Sequence, residues 1–166
     1  MTEEKKYRTA LIVGRFQPFH KGHLYLLREV AAMADHVVLA IGSAGESGTI
    51  DNPLSFAVRQ QILEKVIATE GLSEKVLKIV PSYDFPSDQE WVDKLIAAVG
   101  DFDVVVGNNE WTNSVLEAAG YQAKTIPLAN REEWQGMVIR ELMRNGREEW
   151  KNHVPFSLIA EISDLF

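Results

Sequence analysis

The chain has 166 residues, room for one domain with a sizeable core. Its net charge of −7 disfavours nucleic acid as the main partner, and the lack of cysteine excludes disulfides and thiolate metal sites. Apolar residues make up 46% of the chain, yet no apolar run approaches the roughly 20 residues that span a membrane.

The start, Met1-Thr2-Glu3-Glu4-Lys5-Lys6, is charged, and the apolar stretch behind it is too short for a signal sequence. A cytoplasmic protein with no membrane partner is expected. The first predicted strand, 9–13, contains Ala10-Leu11-Ile12-Val13. Gly14-Arg15-Phe16-Gln17-Pro18-Phe19-His20-Lys21-Gly22-His23 follows directly. Spacing of three places both imidazoles on one side of the first turn of a helix. Leu24, Leu27, Val30 and Ala31 give that helix, predicted over 22–34, its apolar face. Its first turn offers unpaired N–H groups and the positive end of the helix dipole. Gly22 lets an anion approach the backbone, and Arg15, Lys21, His20 and His23 supply donors and charge. The expectation is a polyphosphate cradle. No Asp or Glu lies between Arg8 and Arg28, so an acidic protein carries one cationic loop, which suits a small anionic ligand. A reading as two helix-capping histidines and a surface lysine leaves Gly22 and Arg15 without a purpose.

A second strand is predicted over 36–41. The loop Gly42-Ser43-Ala44-Gly45-Glu46-Ser47-Gly48-Thr49-Ile50-Asp51-Asn52-Pro53 then reads, by composition alone, as turn chemistry. A helix over 55–70 carries Val58, Ile62, Val66 and Ile67. After a strand over 76–81, Ser87-Asp88-Gln89-Glu90 forms a capping box that opens a helix to about residue 99. A fourth strand, 103–106, leads into Gly107-Asn108, where the asparagine suits either a cap or a ligand contact. A helix over 111–119 stops at Gly120, and a fifth strand covers 122–126. From Gly136 onward the pattern is helical only, with Pro155 at a first helical position. His36 and His153 fall outside any cluster and are read as structural.

Alternating buried strands and amphipathic helices predict an α/β fold, a Rossmann-like doubly wound parallel five-stranded sheet with C-terminal helices. The strands are expected to be buried on both faces, and residues 1–166 to form a single domain. Ligands in such sheets bind beyond the carboxyl ends of the strands. No G-x-G-x-x-G follows the first strand, which disfavours a dinucleotide-cofactor enzyme.

The H-x-G-H of His20–His23 resembles the signature of the nucleotidyltransferase superfamily. The longer string from Gly14 to His23 resembles more specifically the archaeal type of nicotinamide-nucleotide adenylyltransferase. Matches extend over nearly the whole chain, through Arg59, Asn145-Gly146, Trp150 and Pro155. The last motif departs from the pattern. Gly136, Ile139, Arg140 and Met143 match the family's S-G-T-x-[IV]-R and the R-x-M after it, but Gln135 and Met137 stand where it carries hydroxyls. The resemblance implies the loss of up to two neutral hydrogen bonds to phosphate, each worth roughly 1 kcal/mol, so weaker triphosphate binding or slower chemistry, not inactivity, is expected.

The resemblance implies adenylyl transfer from ATP, as co-substrate with bound Mg²⁺, to nicotinamide mononucleotide, giving NAD and pyrophosphate. It implies catalytic roles for His20, His23, Arg15 and Arg140. It assigns ATP to Gly14, Phe16, Lys21, Gly22, Gly107, Asn108, Gly136 and Ile139. It assigns the nicotinamide nucleotide to Gly42, Ser43, Ala44, Asp84, Trp91, Asn130, Arg131 and Trp134, with Trp91 and Trp134 as stacking candidates. The sequence shows no dedicated carboxylate cage, so the metal is expected to be held by ATP and water. A homo-oligomer, such as a hexamer, is implied. The alternatives are transfer to another phosphorylated acceptor (nicotinate mononucleotide, phosphopantetheine, FMN or glycerol phosphate) and a non-catalytic nucleotide-binding module.

Overall fold

Five β-branched runs become five parallel strands in a computed structural model that describes residues 7–127, 130 and 133–165. Strand β1 is Tyr7–Gly14, β2 Ala34–Ile41, β3 Val76–Pro81, β4 Val104–Gly107 and β5 Gln122–Thr125. The helices between them are α1 Lys21–Met33, α2 Phe56–Thr69, α3 Asp88–Val99 and α4 Glu110–Ala118. Beyond the sheet come α5 Gly136–Arg144, two short 3₁₀ turns and α6 Ile159–Ser163. Each expected element is present. Pro155 does not enter a helix; it precedes the second 3₁₀ turn, Phe156–Leu158.

The strand order is β3-β2-β1-β4-β5, so β1 lies at the centre and the order reverses beside it. Alternate residues of β1 point to opposite faces. Ala10 and Ile12 join the core layer beneath α1, α2 and the C-terminal helices. Leu11 joins the opposite layer, with Val92 and Leu95 of α3 and Leu116 of α4. Burial on both faces holds for the central strands and fails at the edges. Leu77 of β3 is 55% exposed, and Gln122 and Thr125 of β5 are exposed, because an edge strand has a neighbour on one side only. Asp103 sits just before β4. Its carboxylate accepts from the N–H groups of Arg8 and Thr9 at 3.0 and 2.9 Å, and its own N–H donates to the Thr9 carbonyl. These bonds fix the register of β1 against β4, and so the height of the two strand ends that face each other.

Candidate active site

A cavity of about 610 Å³ opens at the carboxyl ends of the strands. The loops after β1 to β4 line it: Gly14–Gln17 after β1, Gly42 and Ser43 after β2, Ser82 and Asp84 after β3, and Gly107–Asn109 after β4.

The first turn of α1 is built by the two histidines. His20 is the N-cap, and its Nδ1 accepts from the N–H groups of Gly22 and His23 at 3.1 and 3.3 Å. His23 answers: its Nδ1 accepts from the His20 N–H at 3.1 Å. The capping reading and the cradle reading are therefore one arrangement. With each Nδ1 committed as an acceptor, a neutral ring carries its proton on Nε2 and offers one donor. Both rings are neutral, which corrects the expectation that they add positive charge. Burial, then Arg140, then His153 push the His20 pKa down to about 3. Burial, then His20, holds His23 well below its ordinary value. The rings stack with centroids 3.6 Å apart, and Phe16 closes on His23 edge-on at 4.7 Å. Phe16 holds this place at φ 54°, a backbone conformation side chains rarely adopt.

Charge comes from arginines. Arg140 is buried, and its Nη1 donates to the Gln17 carbonyl at 2.9 Å. Its pKa is lowered by burial and then by Arg15, with a partial offset from Asp51. Two cations that disfavour each other beside a cavity favour an anion between them. Gln17 braces this loop: its side-chain amide donates to the Leu54 carbonyl at 2.9 Å and accepts from the Leu54 N–H at 2.8 Å. Arg59, fully buried, donates to the carbonyls of Arg15, Gly42, Ser43 and its own Ser55 at 2.7–3.2 Å.

A family model described as cytidylyltransferase-like matches residues 11–141. Nicotinamide-nucleotide adenylyltransferase of Thermoplasma acidophilum is 34% identical over 163 residues, 98% of this chain and 89% of that one. The chain belongs to the cytidylyltransferase-like family, with the nicotinamide-nucleotide adenylyltransferases. The relative from Archaeoglobus fulgidus is also 34% identical, over 94% of this chain and 91% of its own. A bifunctional NMN adenylyltransferase/ADP ribose pyrophosphatase from Francisella tularensis shares the fold, with a TM-score of 0.79 at 23% identity. That match covers 95% of this chain and half of the bifunctional one.

In this nucleotidyltransferase the cavity gathers His20, His23, Arg15, Arg140, Gly14, Phe16, Gly22, Gly107, Asn108 and Gly136. It also gathers Gly42, Ser43, Asp84, Trp91 and Trp134. Lys21, Ala44, Asn130 and Ile139 are not among its lining residues. Ile139 is fully buried in the core, one residue round the helix from Arg140. Ala44 is buried and donates its N–H to the Ser82 carbonyl; Asn130 is exposed and donates from Nδ2 to Glu133. Arg131 lies outside the described residues. Asn108 is free to face the cavity because Asn109 is the cap of α4, accepting from the Thr112 N–H at 3.0 Å. Gln135 caps α5 with no side-chain bond, and Met137 is 63% exposed on the cavity wall. His153, expected to stand apart, acts on His20, and its carbonyl receives the Lys21 N–H at 2.8 Å. Sequence reasoning gave Gln17 and Asn109 no role of their own and did not single out Trp111, Thr112 or Asn113, all of which also line the cavity.

Two glycines have steric reasons. A Cβ on Gly22 would meet His20 Cε1 at 2.9 Å and the Trp134 carbonyl oxygen at 3.1 Å. A Cβ on Gly136 would meet Arg140 Nη1 at 2.7 Å. Gly136→Ala is expected to displace the guanidinium from Gln17 and raise the KM for the triphosphate about tenfold, the scale of one charged hydrogen bond. An unchanged KM in steady-state kinetics would show that Arg140 moves aside without loss.

The neutral histidines also couple stability to pH. The unfolded chain protonates them near pH 6.5, whereas folded His20 resists down to about 3. Their contribution is present above pH 6.5 and is lost as pH falls through that window. His20 alone is expected to cost about 2 kcal/mol between pH 6.5 and 5. Urea midpoints measured across that range should fall, and less so in His20→Asn. A wild-type midpoint that stays flat would mean that the rings titrate normally in the fold.

Proposed function

We propose that the chain transfers the adenylyl group of ATP to nicotinamide mononucleotide, yielding NAD and pyrophosphate. The observation that carries this reading is the convergence of two neutral imidazoles, each with an Nε2–H to give, and two guanidiniums on one cavity. A 5′-phosphate oxygen of the acceptor attacks the α-phosphorus in line. A new P–O bond forms, the bond to the β-phosphate bridge breaks, and pyrophosphate leaves with the electron pair. The attacking phosphate is already mostly ionised at neutral pH, its second pKa being about 6, so no side chain need take a proton. His23 and His20 donate to the α- and β-phosphate oxygens as charge builds there. Arg15 and Arg140 neutralise the outer phosphates, with Lys21 adding field from the helix start. Gly14, Phe16, Gly22, Gly107, Asn108 and Gly136 shape the ATP end. Gly42, Ser43, Asp84, Trp91 and Trp134 shape the acceptor end.

Mg²⁺ fits this donor set as an ion brought in by ATP. Asp84 is the one carboxylate among the described residues lining the cavity, and it is engaged by the Ser43 hydroxyl at 3.2 Å. When bound, the ion adds charge neutralisation on the triphosphate. No helix among the described residues is long and apolar enough to cross a membrane. We place the enzyme in the cytoplasm as a homo-oligomer.

Pyrophosphate release with Mg-ATP, measured separately with nicotinamide mononucleotide, nicotinate mononucleotide, FMN and phosphopantetheine, tests the reading. Fast release with nicotinamide mononucleotide and NAD by mass would support it. Release only with another acceptor would overturn the substrate, and no release with any would overturn the activity.

A further inference from the structure

A helix begins with four backbone N–H groups that its own turns cannot pair. In α1 all four are taken. The His20 N–H donates to His23 Nδ1, and those of Gly22 and His23 donate to His20 Nδ1. The fourth, on Lys21, donates to the His153 carbonyl at 2.8 Å. The unpaired donors expected of this turn are therefore not there for a phosphate, which is left to side chains. Three of the four bonds come from the histidine pair itself, and the other from the far end of the chain.

His153 follows the 3₁₀ turn Glu148–Asn152, and its N–H donates to the Trp150 carbonyl at 3.0 Å. Trp150 and Val154 are buried in the core layer beneath α1. His153, itself buried, is held between these anchors, so its carbonyl has little room to follow a moving helix start. Its ring is near enough to disfavour charge on His20, and its buried Nδ1 has no hydrogen-bond partner among the described residues. His153 is not among the residues lining the cavity. The bond at Lys21 lies one residue from the His20 ring and two from the His23 ring. The two Nε2–H donors are aimed only as well as this turn is held.

We propose that the turn ending at His153 is a positioning element of the reaction: through the Lys21 N–H it fixes where α1 begins, and so where the Nε2–H groups of His20 and His23 point. This rests on the adenylyl-transfer reading. His153 acts through the two rings. Their donors count most as charge builds on phosphate, so a helix start released from His153 lowers kcat and leaves the KM of both substrates in place.

The test compares two variants at one position. Lys21→Ala removes the side chain and keeps the N–H. Lys21→Pro removes the N–H as well and puts a ring carbon in its place, so the His153 carbonyl has to withdraw. Proline suits the first residue of a helix, and His20 before it is extended, at φ −140° and ψ 178°. At 25 °C, kcat for pyrophosphate release from Mg-ATP and nicotinamide mononucleotide is expected to be about tenfold lower in Lys21→Pro than in Lys21→Ala, the scale of reacting groups slightly misplaced. The KM of each nucleotide should agree within about twofold between the variants. Their Tm values should differ by no more than about 4 °C, as for one hydrogen bond. A contact that served folding alone would shift Tm and leave the two kcat values equal. Should proline prevent folding, the α-hydroxy analogue of lysine at position 21, which exchanges the N–H for an ester oxygen and keeps the side chain, removes the same bond and should also lower kcat. Equal kcat in the two variants, a loss carried by KM alone, or an ester enzyme with wild-type kcat would overturn the role of His153 while the wild type still makes NAD. A wild type that releases no pyrophosphate with any pyridine mononucleotide would overturn the reaction itself, and this role with it.

Discussion

Replacing His23 with alanine lowers kcat by about 10²-fold, the scale of one lost donor to transition-state charge. The ring is held for this task. Its Nδ1 is occupied by the His20 N–H, and its faces are confined by His20 and the edge-on Phe16. The remaining nitrogen therefore carries the proton and pays little reorganisation to donate it. Folding suffers less, since one capping bond is worth about 1 kcal/mol. That corresponds to a drop of about 2–4 °C in Tm for a chain this size. Assays at 25 °C by pyrophosphate release, with Tm followed in parallel, separate the two effects. An unaltered kcat would remove His23 from the chemistry.

Arg59→Leu has the largest expected effect on stability. The side chain is fully buried and its guanidinium spans the carbonyls of Arg15, Gly42, Ser43 and Ser55. Leucine leaves the Arg15 and Gly42 carbonyls without this donor, at about 1–3 kcal/mol for each that water cannot reach, while the Ser43 and Ser55 carbonyls keep the backbone N–H groups of Glu46 and residue 59. A loss of roughly 3–5 kcal/mol is expected, comparable to breaking a buried charge pair. Arg59→Lys should recover only part of it, because a single ammonium cannot match a planar fork. Equilibrium urea unfolding measures this. A variant within about 0.5 kcal/mol of wild type would mean that the loops hold their own shape, as for an ordinary surface change. Because the same fork ties the loop after β1 to the loop after β2, the variant should also bind both nucleotides more weakly.

The strands were legible because β-branched runs such as Val37-Val38-Leu39-Ala40-Ile41 are bounded by polar turns. The histidine pair was legible because spacing of three defines a helical turn whatever surrounds it. The charge of that pair was not, since it depends on burial and on Arg140, which is distant in sequence. Nor was the contrast between buried Trp91 and exposed Trp111: each opens a helix, and only the packing of α3 against α4 decides which ring is covered. Gln17 looks like any loop amide until Leu54 comes within reach. Ile139 is a case where helical phase was available. With Leu142 and Met143 it forms the i, i+3, i+4 stripe that faces the core, and a motif match outweighed that signal.

The reciprocal cap of α1 restricts how this site can change over generations. The atoms that begin the helix and the atoms offered to phosphate belong to the same two rings. An exchange at either position forfeits a helix start and a donor together. Two exchanges made at once should cost less than the sum of their separate penalties, since either one alone already removes the stacking of the two rings. Such a pair is a deep valley for stepwise substitution. Novelty in what the protein accepts is easier to reach through the aromatic and polar wall on α3, α4 and the loop after β2, where a single replacement leaves the phosphate end as it was.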